Sequence, residues 1–189
     1  MTVDHLISDY GLWAIFLGCF LEGETVAITG GVFAHRGLLV LWKVAVTAAC
    51  AAVSSDLLFF LLGRYFKGNS WVRRIMALPK FAAVMVRIDK RPGRFASVFR
   101  FIPGMRIIGP LALAQSRISS AEFAVRAGVS AGIWAVFFTT AGHFVGRFIT
   151  LIFGQVDRTE LLFFVPVSIG VILIAIVIWR RKGSGARRG

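Results

Sequence analysis

The run at 161–179, LLFFVPVSIGVILIAIVIW, carries no charge over nineteen residues, closes on Trp179 and meets a basic tail at 180–189. A helix needs about 20 mostly apolar residues to cross a hydrocarbon core about 30 Å thick. An interfacial tryptophan followed by Lys and Arg is the usual way such a helix ends. Two further runs have spanning length. One, 44–62, contains Asp56; the other, 127–144, is entered through Arg126. Composition agrees, with 57% hydrophobic and 16% charged residues against about 45–50% and 25% in soluble domains. The expected class is an all-α polytopic membrane protein forming one domain over 1–189.

Two other apolar stretches are interrupted. The run 10–34 contains Glu22, Gly23, Glu24, Gly30 and Gly31, and the run 95–114 contains Arg100, Pro103, Gly104, Arg106, Gly109 and Pro110. Irregular backbone at membrane depth survives only where protein buries it or where it lines a wet cavity. Both runs are therefore read as re-entrant helical hairpins, with Gly23, Gly30, Gly31, Pro103, Gly104 and Pro110 as breakers. Each hairpin precedes a spanning helix, so the order of elements repeats. The first unit covers 10–68, the second 92–150, and the C-terminal helix follows at 161–179. An offset of 83 residues lays Gly63-Arg64-Tyr65 on Gly146-Arg147-Phe148.

Charge sets the expected orientation. The segment 64–94 holds nine Lys or Arg against one acid, Asp89, and the tail 180–189 holds five more. Both are expected on the cytoplasmic side, with anionic lipid as their partner. The N-terminus then lies outside, the C-terminus lies in the cytoplasm, and the two hairpins are inverted relative to each other. Inverted repeats with broken helices place a substrate site at their interface. Within the basic loop at 69–91, Trp71, Ile75, Leu78, Phe81, Met85 and Ile88 recur at helical spacing. That pattern fits either an amphipathic helix in the headgroup plane or a soluble connecting helix. The first ten residues are acidic and lack Lys and Arg, so no signal peptide is expected there.

An ionisable group at membrane depth costs about 2.5–3.5 kcal/mol on the insertion scale and is tolerated when it pairs, faces water or is protonated. Glu22 and Glu24 in one hairpin face Arg100 and Arg106 in the other on this reading. Either the four neutralise each other as architecture, or the arginines receive a phosphate and the acids, with Asp56, couple protons. Asp56 has Arg64 as an alternative partner. The net charge of +13 lies between and after apolar segments, which argues for lipid rather than nucleic acid. No GxSxG, HExxH, Walker A or Cys/His cluster occurs, so neither an enzyme, a metal nor a cofactor is expected. Cys19 and Cys50 read as small packing residues.

These motifs resemble the DedA family of small membrane proteins. The resemblance rests on FLEGE, then GG and AHRG; on Asp56, Gly63, Arg64 and Gly68; and on Gly93, RFIPGMR at 100–106 and Pro110. It implies two inverted re-entrant hairpins at a shared cavity in a bacterial inner membrane. It also implies lipid translocation by a flippase or scramblase, with undecaprenyl phosphate or phosphatidylethanolamine as cargo. The matching positions are the phosphate-binding Arg100 and Arg106 and the acids Glu22, Glu24 and Asp56. A proton-coupled transporter of a small solute or oxyanion and a non-transporting membrane assembly protein stay open as rivals. Oligomeric state is not determined by the sequence.

Overall fold

The computed structural model describes residues 3–66, 68, 70–78, 81, 84–86, 88, 91–102 and 104–153. The expected C-terminal helix at 161–179, the tail at 180–189 and Pro103 lie outside them. Among the described residues every regular element is a helix: α1 Val3–Leu21, α2 Glu24–His35, α3 Leu41–Tyr65, α4 Ser70–Met76, α5 Pro92–Val98, a 3₁₀ turn Phe99–Phe101, α6 Met105–Leu113 and α7 Ser120–Phe153. Two of these, α3 and residues Ser120–Ile152 of α7, are long and apolar enough to cross a membrane.

The interrupted runs do fold back on themselves. Helix α1 ends at Leu21, and Gly23 takes φ +102°, open to glycine alone at low cost. Helix α2 then returns along α1, with Gly18 against Val26 and Gly30 against Ile15. The second turn uses Gly104 at φ +79°, after which α6 returns with Gly109 against Phe99. Gly30, Gly31 and Pro110 are not breakers: they sit inside α2 and α6. Pro110 falls in the second turn of α6, where it forfeits the bond its own N–H would make to the Arg106 carbonyl while the helix continues to Leu113. Gly31 and its counterpart Gly142 on α7 serve packing instead. A Cβ at Gly31 would come within 2.1 Å of the Thr139 carbonyl oxygen, and one at Gly142 within 2.1 Å of the Ile28 carbonyl oxygen. Two helices thus meet backbone to backbone, the use that membrane interfaces make of small residues.

The interior divides into two apolar clusters. One joins Ile15, Val44, Ala48, Ala52, Ala131 and Trp134; the other joins Phe60, Phe99, Leu111, Phe123 and Ala127. Phe60 and Phe123 stack at 4.1 Å between centroids. Of the basic loop, Val72, Phe81, Val84 and Ile88 bury themselves in this second cluster, whereas Leu78 is exposed. The loop's apolar side therefore packs on the protein's own core.

The outer surface is also apolar. Val125, Val129, Ile133, Val136, Phe137, Phe144 and Phe148 follow one side of α7 and are all more than half exposed. Soluble monomers rarely expose so long a contiguous apolar stripe, and a lipid-facing helix does so as a rule.

Candidate functional site: a polar layer between two hairpin tips

On α3 the two apolar clusters are separated by Ser55 and Asp56, and on α7 by Ser130. Asp56 stands nine residues before Tyr65 and Ser130 ten after Ser120. At 1.5 Å per residue that is about 14 and 15 Å along the two axes. The ends match in level, because Arg64 Nη1 donates to Ser120 Oγ at 3.4 Å. A polar layer thus lies about half a hydrocarbon thickness from that end, and both hairpin tips reach it.

Arg100, from the 3₁₀ turn of the second hairpin, enters the layer against α3. Its Nη2 donates to the Ala52 carbonyl at 2.9 Å and to Asp56 Oδ2, forming an ion pair. Asp56 is fully buried and Arg100 is 9% exposed. The guanidinium also lies over the Trp134 ring, 5.1 Å from its centroid. Such a stack gives a desolvated cation a second compensation beside its carboxylate.

Arg106, at the first turn of α6, reaches the other hairpin. Its Nη2 donates to the carbonyls of Cys19, at 2.6 Å, and Phe20. These belong to the last turn of α1, whose carbonyls lack onward helical N–H donors and carry the negative end of the helix dipole. Arg106 therefore caps α1 from a distant segment. Its Nη1 lies 3.0 Å from where a Cβ on Gly23 would stand, so Gly23 is required both for the turn and for the arginine's approach.

Glu22 and Glu24 are exposed at the first tip. Glu24 is within electrostatic range of Arg106, yet the ion pairs among the described residues are Arg100–Asp56 and Arg126–Glu122. The expected facing of Glu22 and Glu24 with the two arginines is thus replaced by Asp56 with Arg100 and backbone carbonyls with Arg106. Carbonyls at a helix terminus offer two acceptors without burying a second carboxylate. The alternative pairing of Asp56 with Arg64 is likewise not formed. Arg64 instead donates to the carbonyls of Ala114, Ser116 and Ile118 and lies over Phe60. With Gln115 Nε2 donating to the Gly63 carbonyl at 2.6 Å, it latches the loop before α7 to the end of α3.

Sequence reasoning missed Trp134, Ser130 and Ser55. They are ordinary helix residues in an apolar run, and only their shared level with Asp56 marks them. His35 on α2 and His143 on α7 also meet, their rings edge to face at 4.9 Å. Among the described residues no three His, Cys, Asp or Glu side chains group as metal ligands.

If its three charged groups are ionised, the layer sets two guanidiniums against one carboxylate. Arg100 Nε, Arg106 Nη1, Trp134 Nε1 and the hydroxyls of Ser55 and Ser130 are buried without a hydrogen-bond partner, as is Asp56 Oδ1. Buried donors without acceptors each cost about 1–3 kcal/mol. A buried, net-positive layer rich in unused donors is suited to an anion.

Two apolar spans, a lipid-like outer face and a charged layer at mid-depth define a helical membrane protein. Residues 21–144 match the VTT domain. The chain is 32% identical to the inner membrane protein YohD of Escherichia coli K12, over the whole of this chain and 97% of that one. It is also 26% identical to the protein DedA of the same organism, over 97% of this chain and 90% of the other. The chain belongs to the DedA family of membrane proteins. No solved structure matches it.

Proposed function

We propose that this protein moves a phosphate-bearing lipid across a bacterial inner membrane, with undecaprenyl phosphate as the first-ranked cargo. The observation that carries the reading is the pair of buried Arg100 and half-buried Arg106, each holding its protein partners on Nη2 and a buried unused donor on another nitrogen. Guanidiniums bind phosphate oxygens through their N–H donors, and the unused nitrogens here are Nε on Arg100 and Nη1 on Arg106.

The folded-back pairs α1–α2 and α5–α6 act on this reading as re-entrant hairpins, inverted and meeting tip to tip. The lipid's tail stays in the bilayer while its headgroup passes the polar layer. Arg106 then exchanges the Cys19 and Phe20 carbonyls for phosphate oxygens, which uncouples the hairpin tips. Glu22, Glu24 and Asp56 take up protons or balance the arginines, giving the site the two states that transport requires. The N-terminus lies outside and the basic segments face the cytoplasm, where they hold anionic lipid.

The test is reconstitution in liposomes, following labelled polyprenyl phosphate beside labelled phosphatidylethanolamine, with Arg100→Ala/Arg106→Ala as control. Movement of polyprenyl phosphate that the double variant abolishes supports the reading. Movement of phosphatidylethanolamine instead reassigns the cargo. Normal movement by a folded double variant removes the arginines from it.

A further inference from the structure

Trp134 is a large aromatic at 1% exposure whose indole N–H has no hydrogen-bond partner. Buried tryptophans ordinarily satisfy that donor. Its orientation is informative. Ring carbon Cζ2, which flanks the nitrogen-bearing edge of the indole, lies 3.6 Å from the position of a Cβ on Gly23, and Arg106 Nη1 lies 3.0 Å from the same point. Trp134 and Arg106 therefore both close on the Gly23 turn, while the Trp134 face carries Arg100 at 5.1 Å. Ser130 sits one helical turn earlier, on the same face of α7. Its buried hydroxyl is likewise unpartnered.

The unused groups are unbalanced in kind. Arg100 Nε, Arg106 Nη1 and Trp134 Nε1 only donate, the two serine hydroxyls do either, and Asp56 Oδ1 alone only accepts. The ammonium of an amine-bearing headgroup has only donors and finds one committed acceptor here, and its phosphodiester offers two terminal oxygens sharing one charge. A phosphate monoester has only acceptors on its terminal oxygens and matches the excess.

We propose that the Trp134 indole N–H is a direct ligand-contact donor of this layer, and that together with the two arginines it selects a phosphate monoester over an amine-bearing headgroup. The inference rests on reading the layer as a phosphate site. As a neutral donor Trp134 adds a hydrogen bond without adding to the repulsion between the guanidiniums, and its ring keeps Arg100 in place.

The indole N–H is directly observable. The chain has five tryptophans, and Trp134→Phe, which keeps an aromatic face for Arg100, assigns its cross-peak by deletion in a proton–nitrogen spectrum of the detergent-solubilised protein. Farnesyl phosphate should move that peak downfield, while farnesol and phosphatidylethanolamine should leave it in place. Trp134→Phe should bind farnesyl phosphate about tenfold more weakly, the worth of one hydrogen bond to a charged acceptor, with an unchanged unfolding midpoint. A stationary peak in a protein that moves polyprenyl phosphate in liposomes overturns the role of Trp134 and leaves the lipid reading standing. A peak that moves in a protein that transports no lipid sustains the donor and removes the lipid reading. A stationary peak with no lipid movement removes both.

Discussion

Arg106 donates to the carbonyl of Cys19 across 87 positions of sequence, so the tip of the second hairpin caps the first helix of the other. This contact makes each hairpin a part of its partner's structure. Arg106→Ala leaves two helix-terminal carbonyls without a donor at depth, and should lower stability by about 1–3 kcal/mol. Arg106→Lys keeps the charge but not the fork, and should fold better while still losing transport. Denaturation in mild detergent, paired with the liposome assay, separates the two effects.

Asp56 and Arg100 form a buried pair whose halves are unequal alone. Asp56→Ala strands a desolvated guanidinium and should cost about 3–5 kcal/mol, whereas Asp56→Ala/Arg100→Met removes both charges and should recover most of it. Unfolding midpoints of the single and double variants measure this. Failure of the double variant to recover would mean that Arg100 is held by Trp134 and the Ala52 carbonyl more than by Asp56.

Glu22 and Glu24 are exposed, so Glu22→Gln and Glu24→Gln should change stability by no more than about 0.5 kcal/mol. Any loss of transport in these variants then reports on function rather than folding. Equal loss of stability and transport would make them structural.

Glycines divide by what a Cβ would meet. Gly31→Ala drives a methyl into the Thr139 carbonyl and should separate α2 from α7, with a loss above about 3 kcal/mol or failure to fold. Gly128, also inside α7, has open space around it, and Gly128→Ala should stabilise by about 0.5–1 kcal/mol. Expression level and thermal midpoint of the two variants make the comparison.

Arg64 holds the loop before α7 through three carbonyls and one hydroxyl. Arg64→Ala should open that loop to protease at 114–119 with the rest of the protein intact. Unchanged cleavage kinetics would assign the latch to Gln115 instead.

Much of this was determined by sequence alone, for reasons that are local or statistical. Bilayer thickness fixes the length of an apolar run, so the spans at 44–62 and 127–144 are visible without coordinates. The breaks near Gly23 and Gly104 are visible because an unbroken lipid-facing helix has no use for glycine and charge side by side in its middle. Helical spacing likewise marks the apolar side of the basic loop. What the tertiary structure alone decided is which groups share a level. Asp56 and Ser130 lie 74 positions apart, yet each stands about 14–15 Å from one end of its helix. Their meeting depends on the antiparallel packing of α3 on α7, which has no signature in either segment. The same holds for Gly31 and Gly142, legible as small residues but not as a pair. Partner choice is the clearest case. Sequence places two acids and two arginines at two tips and favours pairing them by charge. The fold puts helix-end carbonyls nearer to Arg106 than any carboxylate, and a hydrogen bond is made with the acceptor within reach.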